Sequence, residues 1–329
     1  MKIADMHCDT ISELLQKKRA GEHISLRQND MHLDLERMRS GDYLLQNFAL
    51  FVNLQKCHDP WDEVCALYDL YRAELQENED CIAPVLSYRD ISRNEAAGRM
   101  SAMLTVEEGA VCKGELRKLR QLYEMGVRMV TLTWNYPNEL GYPNVNRLRE
   151  FVDCFTPDTE GGLTDIGRAF VTEMEALGMI VDVSHLSDAG FYDVLEMTHK
   201  PFVASHSNAR SICRHVRNLS DGMIRSLAER GGVMGLNFYA DFLRDSVRGE
   251  GNPGAIADVV RHARHIVNIG GAEVLGLGSD FDGIDTNEEL PGVQSMGLLW
   301  EALHKDGFRE SELDKIFAGN VLRVYRDTL

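Results

Sequence analysis

The chain has 329 residues, 44% of them hydrophobic, and a formal net charge of −17. That acidity argues against nucleic acid or an anionic membrane surface as partner, since both require a basic face. Seven cysteines, an odd number without a C-x-x-C pair, fit a reduced cytoplasmic protein and not a disulfide framework.

MKIADMHCDT carries no apolar signal region, no run approaches the ~18 residues of a membrane span, and RVYRDTL holds no tail exchangeable for a lipid anchor. Strand-like runs then recur near residues 2–7, 45–53, 101–106, 127–133, 179–184, 201–205, 232–238 and 274–279. Helical spacing fills most of the intervals. Trp61–Asn78 repeats Val64, Leu67, Leu70, Tyr71 and Leu75. Glu115–Met125 repeats Leu116, Leu119, Leu122 and Tyr123, and Thr164–Leu177 repeats Ile166, Phe170 and Met174 before Gly178 stops it. Ala255–Ile269 and Ser311–Arg326 complete the set. The long polar stretches Lys18–Met38 and Tyr136–Gly162 read as loops or short helices over a mouth.

Eight strands alternating with helices predict one α/β domain over residues 1–329, a (β/α)₈ TIM barrel. A doubly wound sheet would place a glycine-rich phosphate loop after the first strand, and DMHCDT has no glycine.

Six of these segments end an apolar run in a metal-binding or acid/base residue. A barrel gathers its strand ends, so His7, Asp9, Glu107, His185, His206 and Asp280 are expected together. His7 and Asp9, at i and i+2 of a strand, face one way and Cys8 the other. Of Glu107 and Glu108, alternation admits one to the mouth; a carboxylate there can bridge two cations. His185 in DVSH and His206 in SHSNAR each follow a β-branched apolar run. The other eight histidines, His262 and His265 among them, are expected in solvated helix or loop settings. Imidazole plus carboxylate without thiolate suits Zn²⁺, with Mn²⁺, Co²⁺ or Fe²⁺ as substitutes. Two ions ~3.5–4 Å apart can hold a hydroxide and polarise a carbonyl. Asp280 in GSDFDG is then free for proton transfer, with Asp282 as its neighbouring competitor.

Taken together, DMHCD, TVEEG, TLTWN, DVSH, SHSNAR and GSDFDG resemble the membrane dipeptidases, also called renal dipeptidases, over nearly the whole chain. The resemblance implies a TIM barrel with two Zn²⁺ that hydrolyses dipeptides. It implies one ion on His7 and Asp9, a second on His185 and His206, Glu107 bridging, and Asp280 transferring protons. It also implies that Arg217 grips the substrate carboxylate; by residue type alone, Arg210 and Arg214 are alternatives. Trp134 and Tyr239 join Arg217 as expected substrate-binding residues.

Two departures stand out. Trp134 occupies the place where the family often has a histidine that stabilises the oxyanion, and E-E-G replaces E-G-G at residues 107–109. The chain is similar to a cytoplasmic bacterial member, and the resemblance suggests a homodimer. Competing readings are an amidohydrolase of N-acyl amino acids, lactams or lactones, and a non-catalytic metal- or ligand-binding barrel. The retained Asp280 argues against the last.

Overall fold

The computed structural model describes residues 1–245, 254–285 and 287–329. Its sheet comprises β1 (Ile3–Asp5), β2 (Tyr43–Phe51), β3 (Ile82–Pro84), β4 (Met100–Glu107), β5 (Val127–Thr131), β6 (Ile180–Asp182), β7 (Val203–Ala204), β8 (Val233–Leu236) and β9 (Leu275–Leu277). All pairings between these strands are parallel, and β2 pairs with both β1 and β4 while β1 pairs with β9, so eight strands close into a barrel. All eight expected strands are present. The ninth, β3, was not expected. It pairs only with the start of β4, ahead of the point where β5 takes over that edge. Three residues, one of them a proline, carry too little periodicity to read as a strand.

Most of the expected helices form close to the expected bounds. Pro60–Glu77 opens with proline in its first turn and Asp59 accepting from the Trp61 and Asp62 backbone N–H groups. Asp165–Leu177 starts on the Thr164 hydroxyl and ends at Gly178, whose φ of 75° is the left-handed conformation that favours glycine. The stretch expected as one helix over 311–326 is instead Glu310–Asp314, a π-turn at Lys315–Gly319 and Asn320–Thr328. Thr10–Arg19, Tyr88–Ala96, Asp188–Met197 and Asp221–Glu229 add helices whose patterns are weaker in the sequence. Between residues 136 and 162 no helix or regular strand forms, as expected of a loop.

Strand alternation divides the core in two. Leu45, Met103, Met129, Ile180, Val203 and Val233 point into the barrel and pack against Val321, Val324 and Tyr325 of the C-terminal helix. Leu104, Val106, Val181 and Val183 face the surrounding helices. The Tyr325 hydroxyl, fully buried, accepts from Asn47 Nδ2 at 2.7 Å. With one end of the barrel interior filled by apolar side chains, the polar residues at the strand C-termini line the opposite end.

One expectation fails here. His262 is not solvated; it is fully buried on the inner face of Ile256–Gly270. The Ala209 N–H donates to its Nδ1 at 3.0 Å, and its Nε2–H donates to the Leu243 carbonyl at 2.9 Å. The pattern misleads because a neutral imidazole with both nitrogens bonded is compatible with a core. Burial depresses its pKa from 6.5 to about 4. The unfolded chain therefore takes up a proton below pH 6.5 that the folded chain refuses until about pH 4. Its contribution to stability is full above 6.5 and shrinks as the pH falls through that window. Going from pH 7.5 to 5, denaturant titrations should show wild type losing roughly 2 kcal/mol more than His262→Gln. A pH-independent gap between the two would refute this account.

Candidate active site and metal centre

Each expected metal-site residue comes from the C-terminal end of a barrel strand. Along β4, Met103 lies inside the barrel, and Glu107, four residues on, shares its face. Glu108 turns away with φ 97° and caps the Ala110 N–H at 2.9 Å. After β1 the alternation breaks: Met6 packs in the barrel interior and His7 also turns inward. Cys8 points outward, its Sγ 3.3 Å from the Asn47 carbonyl, while Asp9 rejoins His7.

The structure brings all six residues together. His7 Nε2 lies 3.7 Å from Asp9 Oδ1, 3.5 Å from Glu107 Oε2 and 3.8 Å from Asp280 Oδ1. Glu107 Oε1 lies 2.9 Å from His185 Nε2 and 3.5 Å from His206 Nε2. Gly283 has no room for a side chain: a Cβ there would collide with the carboxylates of Asp9 and Asp280. Asp282 faces elsewhere, accepting from Thr10 Oγ1 at 2.6 Å and from the His32 N–H at 2.7 Å.

The donor atoms fit cations. Both nitrogens of His7, Oδ1 of Asp9 and Oε1 of Glu107 are buried without a hydrogen-bond partner, an arrangement that is costly unless another group satisfies them. The Nε2 atoms of His185 and His206 face each other at 3.0 Å. His185 Nδ1 is spent on Asn135 Oδ1 at 3.0 Å, and His206 Nδ1 on Ser205 Oγ at 2.8 Å. With the ring protons of both on Nδ1, two imidazole lone pairs so placed would repel each other unless a positive charge lay near both.

The electrostatics of these groups point the same way. Burial opposes charging His7, yet Glu107, Asp9 and Asp280 outweigh it and raise its pKa to about 10. Burial and the neighbouring Glu107 push the Asp9 carboxyl well up. Three buried carboxylates crowd one space and demand positive charge. Among the described residues, the clusters able to hold a metal ion are His7–Glu107–His206 and His7–Asp9–Asp280.

Beside this centre opens a cavity of about 390 Å³. Arg217, Trp134 and Tyr239 line it, as do Arg147 and Asp285. Of the three candidate arginines, Arg210 is held by Asp188 through two 2.7 Å bonds, and Arg214 is exposed and bonded to Asp245. Arg217 is buried and has no ion-pair partner among the described residues. Its Nη2 reaches the His206 carbonyl at 3.3 Å, its Nε bonds nothing, and burial lowers its pKa to about 10.

Trp134 packs edge-on to Phe51 with ring centres 4.9 Å apart, and the Arg147 guanidinium sits 4.9 Å above its ring. The two departures from the family pattern touch each other, since Glu108 Oε2 accepts from the Trp134 N–H at 3.2 Å. Burial pushes the Glu108 carboxyl up to about 7.

Sequence reasoning missed Asn135, Asn237 and Arg147. Asn237 Nδ2 donates to Asp280 Oδ2 at 2.9 Å. It directly follows β8, the same strand-end signal that marked the other residues. Arg147 lies inside an irregular loop and leaves no such signal.

A family model described as membrane dipeptidase, peptidase family M19, matches residues 1–328. The chain belongs to the membrane dipeptidase family. An uncharacterized dipeptidase of Schizosaccharomyces pombe is 30% identical over 316 residues, covering 90% of this chain and 72% of that protein. A Klebsiella pneumoniae protein, described only as an uncharacterized protein in the pqqA 5′ region, is 37% identical over 74% of this chain and 87% of its own length. A metallopeptidase from Rhodobacter sphaeroides, solved with a phosphinate mimic of L-Ala-D-Ala, has a TM-score of 0.89 and 26% identity, covering 100% and 99% of the two chains. Family membership makes the protein a metallopeptidase of the dipeptidase class on a (β/α)₈ barrel. Among the described residues no helix is long and apolar enough to cross a membrane.

Proposed function

We propose that this protein is a binuclear zinc dipeptidase that hydrolyses free dipeptides and accepts a D-residue at the C-terminal position. The observation that carries this reading is a convergence on one cavity. Metal-ligand atoms without hydrogen-bond partners meet a buried guanidinium without an anion. The mimic bound by the Rhodobacter protein motivates the D-residue.

His7 and Asp9 would hold one ion, His185 and His206 the other, with Glu107 between them. Zn²⁺ suits these ligands, and Mn²⁺ or Co²⁺ would substitute. Metal ions there would polarise the scissile carbonyl and acidify the attacking water. Arg217 would pair with the substrate's C-terminal carboxylate through its planar fork. Trp134 and Tyr239 would wall the side chains. Asp280 would carry the proton on Oδ1, because Oδ2 is engaged by Asn237. Burial raises its pKa, and cations at the neighbouring positions would draw it back down, leaving a carboxylate able to accept the proton. All seven cysteines are free, which supports a cytoplasmic location. A homodimer remains part of the proposal by family resemblance.

Elemental analysis of protein purified without chelator should give close to two metal ions per chain. Five ligands with one shared carboxylate exceed what one tetrahedral ion uses. Glu107→Gln should lower occupancy at both positions, whereas Glu108→Gln should leave it unchanged. A content that never exceeds one after zinc or manganese loading would remove the binuclear claim. A screen of L-L, L-D and D-D dipeptides against the loaded protein then tests the substrate class.

A further inference from the structure

Beneath the paired histidines lies a carboxylate that the proposed reaction does not use. Asp182, fully buried at the end of β6, accepts five hydrogen bonds. Its Oδ1 takes the N–H groups of Ser184 (3.0 Å) and Ser205 (2.9 Å) and the Ser184 hydroxyl (2.6 Å). Its Oδ2 takes the hydroxyls of Thr131 and Ser205, both at 2.6 Å. A carboxylate in this setting only accepts, so the single Ser205 hydroxyl proton is committed to it. Ser205 Oγ therefore offers only lone pairs to His206 Nδ1, 2.8 Å away, and that nitrogen must carry the ring proton.

We propose that Asp182 is a positioning residue for the metal centre: acting through Ser205, it holds His206 as the Nδ1–H tautomer and so keeps Nε2 a bare ligand atom. This rests on the metal-centre reading above. The chain Asp182–Ser205–His206 gives the second-ion position a fixed ligand orientation before any ion arrives. His185 gets the same service more simply, from Asn135 Oδ1.

The arrangement makes an isosteric change informative. In Asp182→Asn the new amide must present its oxygen to the two backbone N–H groups, because backbone donors cannot reverse. Its NH₂ then faces Ser205 and Thr131. The Ser205 hydroxyl becomes an acceptor from that amide, its own proton turns to His206 Nδ1 at 2.8 Å in preference to the Ser184 hydroxyl at 3.0 Å, and the imidazole proton moves to Nε2. Such a ring cannot ligate through Nε2.

The test reads the imidazole ¹⁵N resonances of metal-free protein together with metal retention against a competing chelator. Wild type should show His206 protonated on Nδ1. Asp182→Asn should show it protonated on Nε2 and lose roughly 10–100-fold in affinity for the second ion, which the chelator then removes first. Thr131→Val removes another Asp182 donor without touching the ring and should change neither readout. Should Asp182→Asn fail to fold, Ser205→Ala takes its place, and wild-type affinity for the second ion in that variant overturns the proposal. An Nδ1–H ring in folded Asp182→Asn overturns it as well. Wild type that binds no metal, with the tautomer switch still seen on going to Asp182→Asn, would sink the metal-centre reading while leaving the Asp182–His206 link standing.

Discussion

Asp280→Asn should lower kcat by roughly 10²–10⁴-fold, the range for a lost general acid/base, while metal content stays near the wild-type value. The expectation follows from placement. Asp280 follows β9 with φ 63°, one oxygen tied to Asn237 and the other 3.8 Å from His7 Nε2 at the edge of the cavity. The neutral amide keeps the shape and the Asn237 contact but cannot take a proton. Asp280 also forms a potential ligand cluster with His7 and Asp9. If the variant loses an ion together with its activity, Asp280 is a ligand and the proton-transfer role belongs elsewhere. Asn237→Ala should produce a smaller loss in the same direction, because it frees the oxygen that the hydrogen bond restrains.

A dipeptide and its C-terminal amide should differ by roughly 10²–10⁴-fold in kcat/KM, and Arg217→Ala should collapse that difference. Arg217 is buried, its Nε lacks a partner, and its two nearest acceptors, Ser207 Oγ and the His206 carbonyl, stand at 3.4 and 3.3 Å. A guanidinium kept in such a place without an anion costs on the order of 3–5 kcal/mol, and a substrate carboxylate recovers much of it. A C-terminal amide cannot, and it also leaves polar groups unpaired. In the variant both substrates should be poor and nearly equal. Equal cleavage of the two by the native protein would remove the carboxylate from recognition and favour an amidohydrolase acting on N-acyl amino acids, lactams or lactones.

Much of this molecule is legible without coordinates, for a local reason. A barrel strand buried on both faces must be an apolar run, and its functional residue must sit where the run stops. Both signals lie within seven or eight consecutive residues, as in IVDVSH or LGLGSD. Chain order alone therefore located eight strands and the six residues that meet at the cavity. The helix ends at Thr164 and Gly178 are equally local, since a cap acts within one turn.

What only the tertiary structure decided depends on partners distant in sequence. His262 needed Ala209 and Leu243 beside it before burial made sense. Arg210, Arg214 and Arg217 are alike as residues. They separate only because Asp188 and Asp245 occupy the first two and leave the third facing the cavity. Glu107 and Glu108 are adjacent, and the strand face that Met103 shares with Glu107 separates them. Asp182 reads as one more polar residue in a strand until Thr131 and Ser205, 51 and 23 positions away, close on it. Patterning follows from each residue's own burial, which neighbouring residues reveal; roles follow from charge and hydrogen-bond partners, which the fold alone assembles.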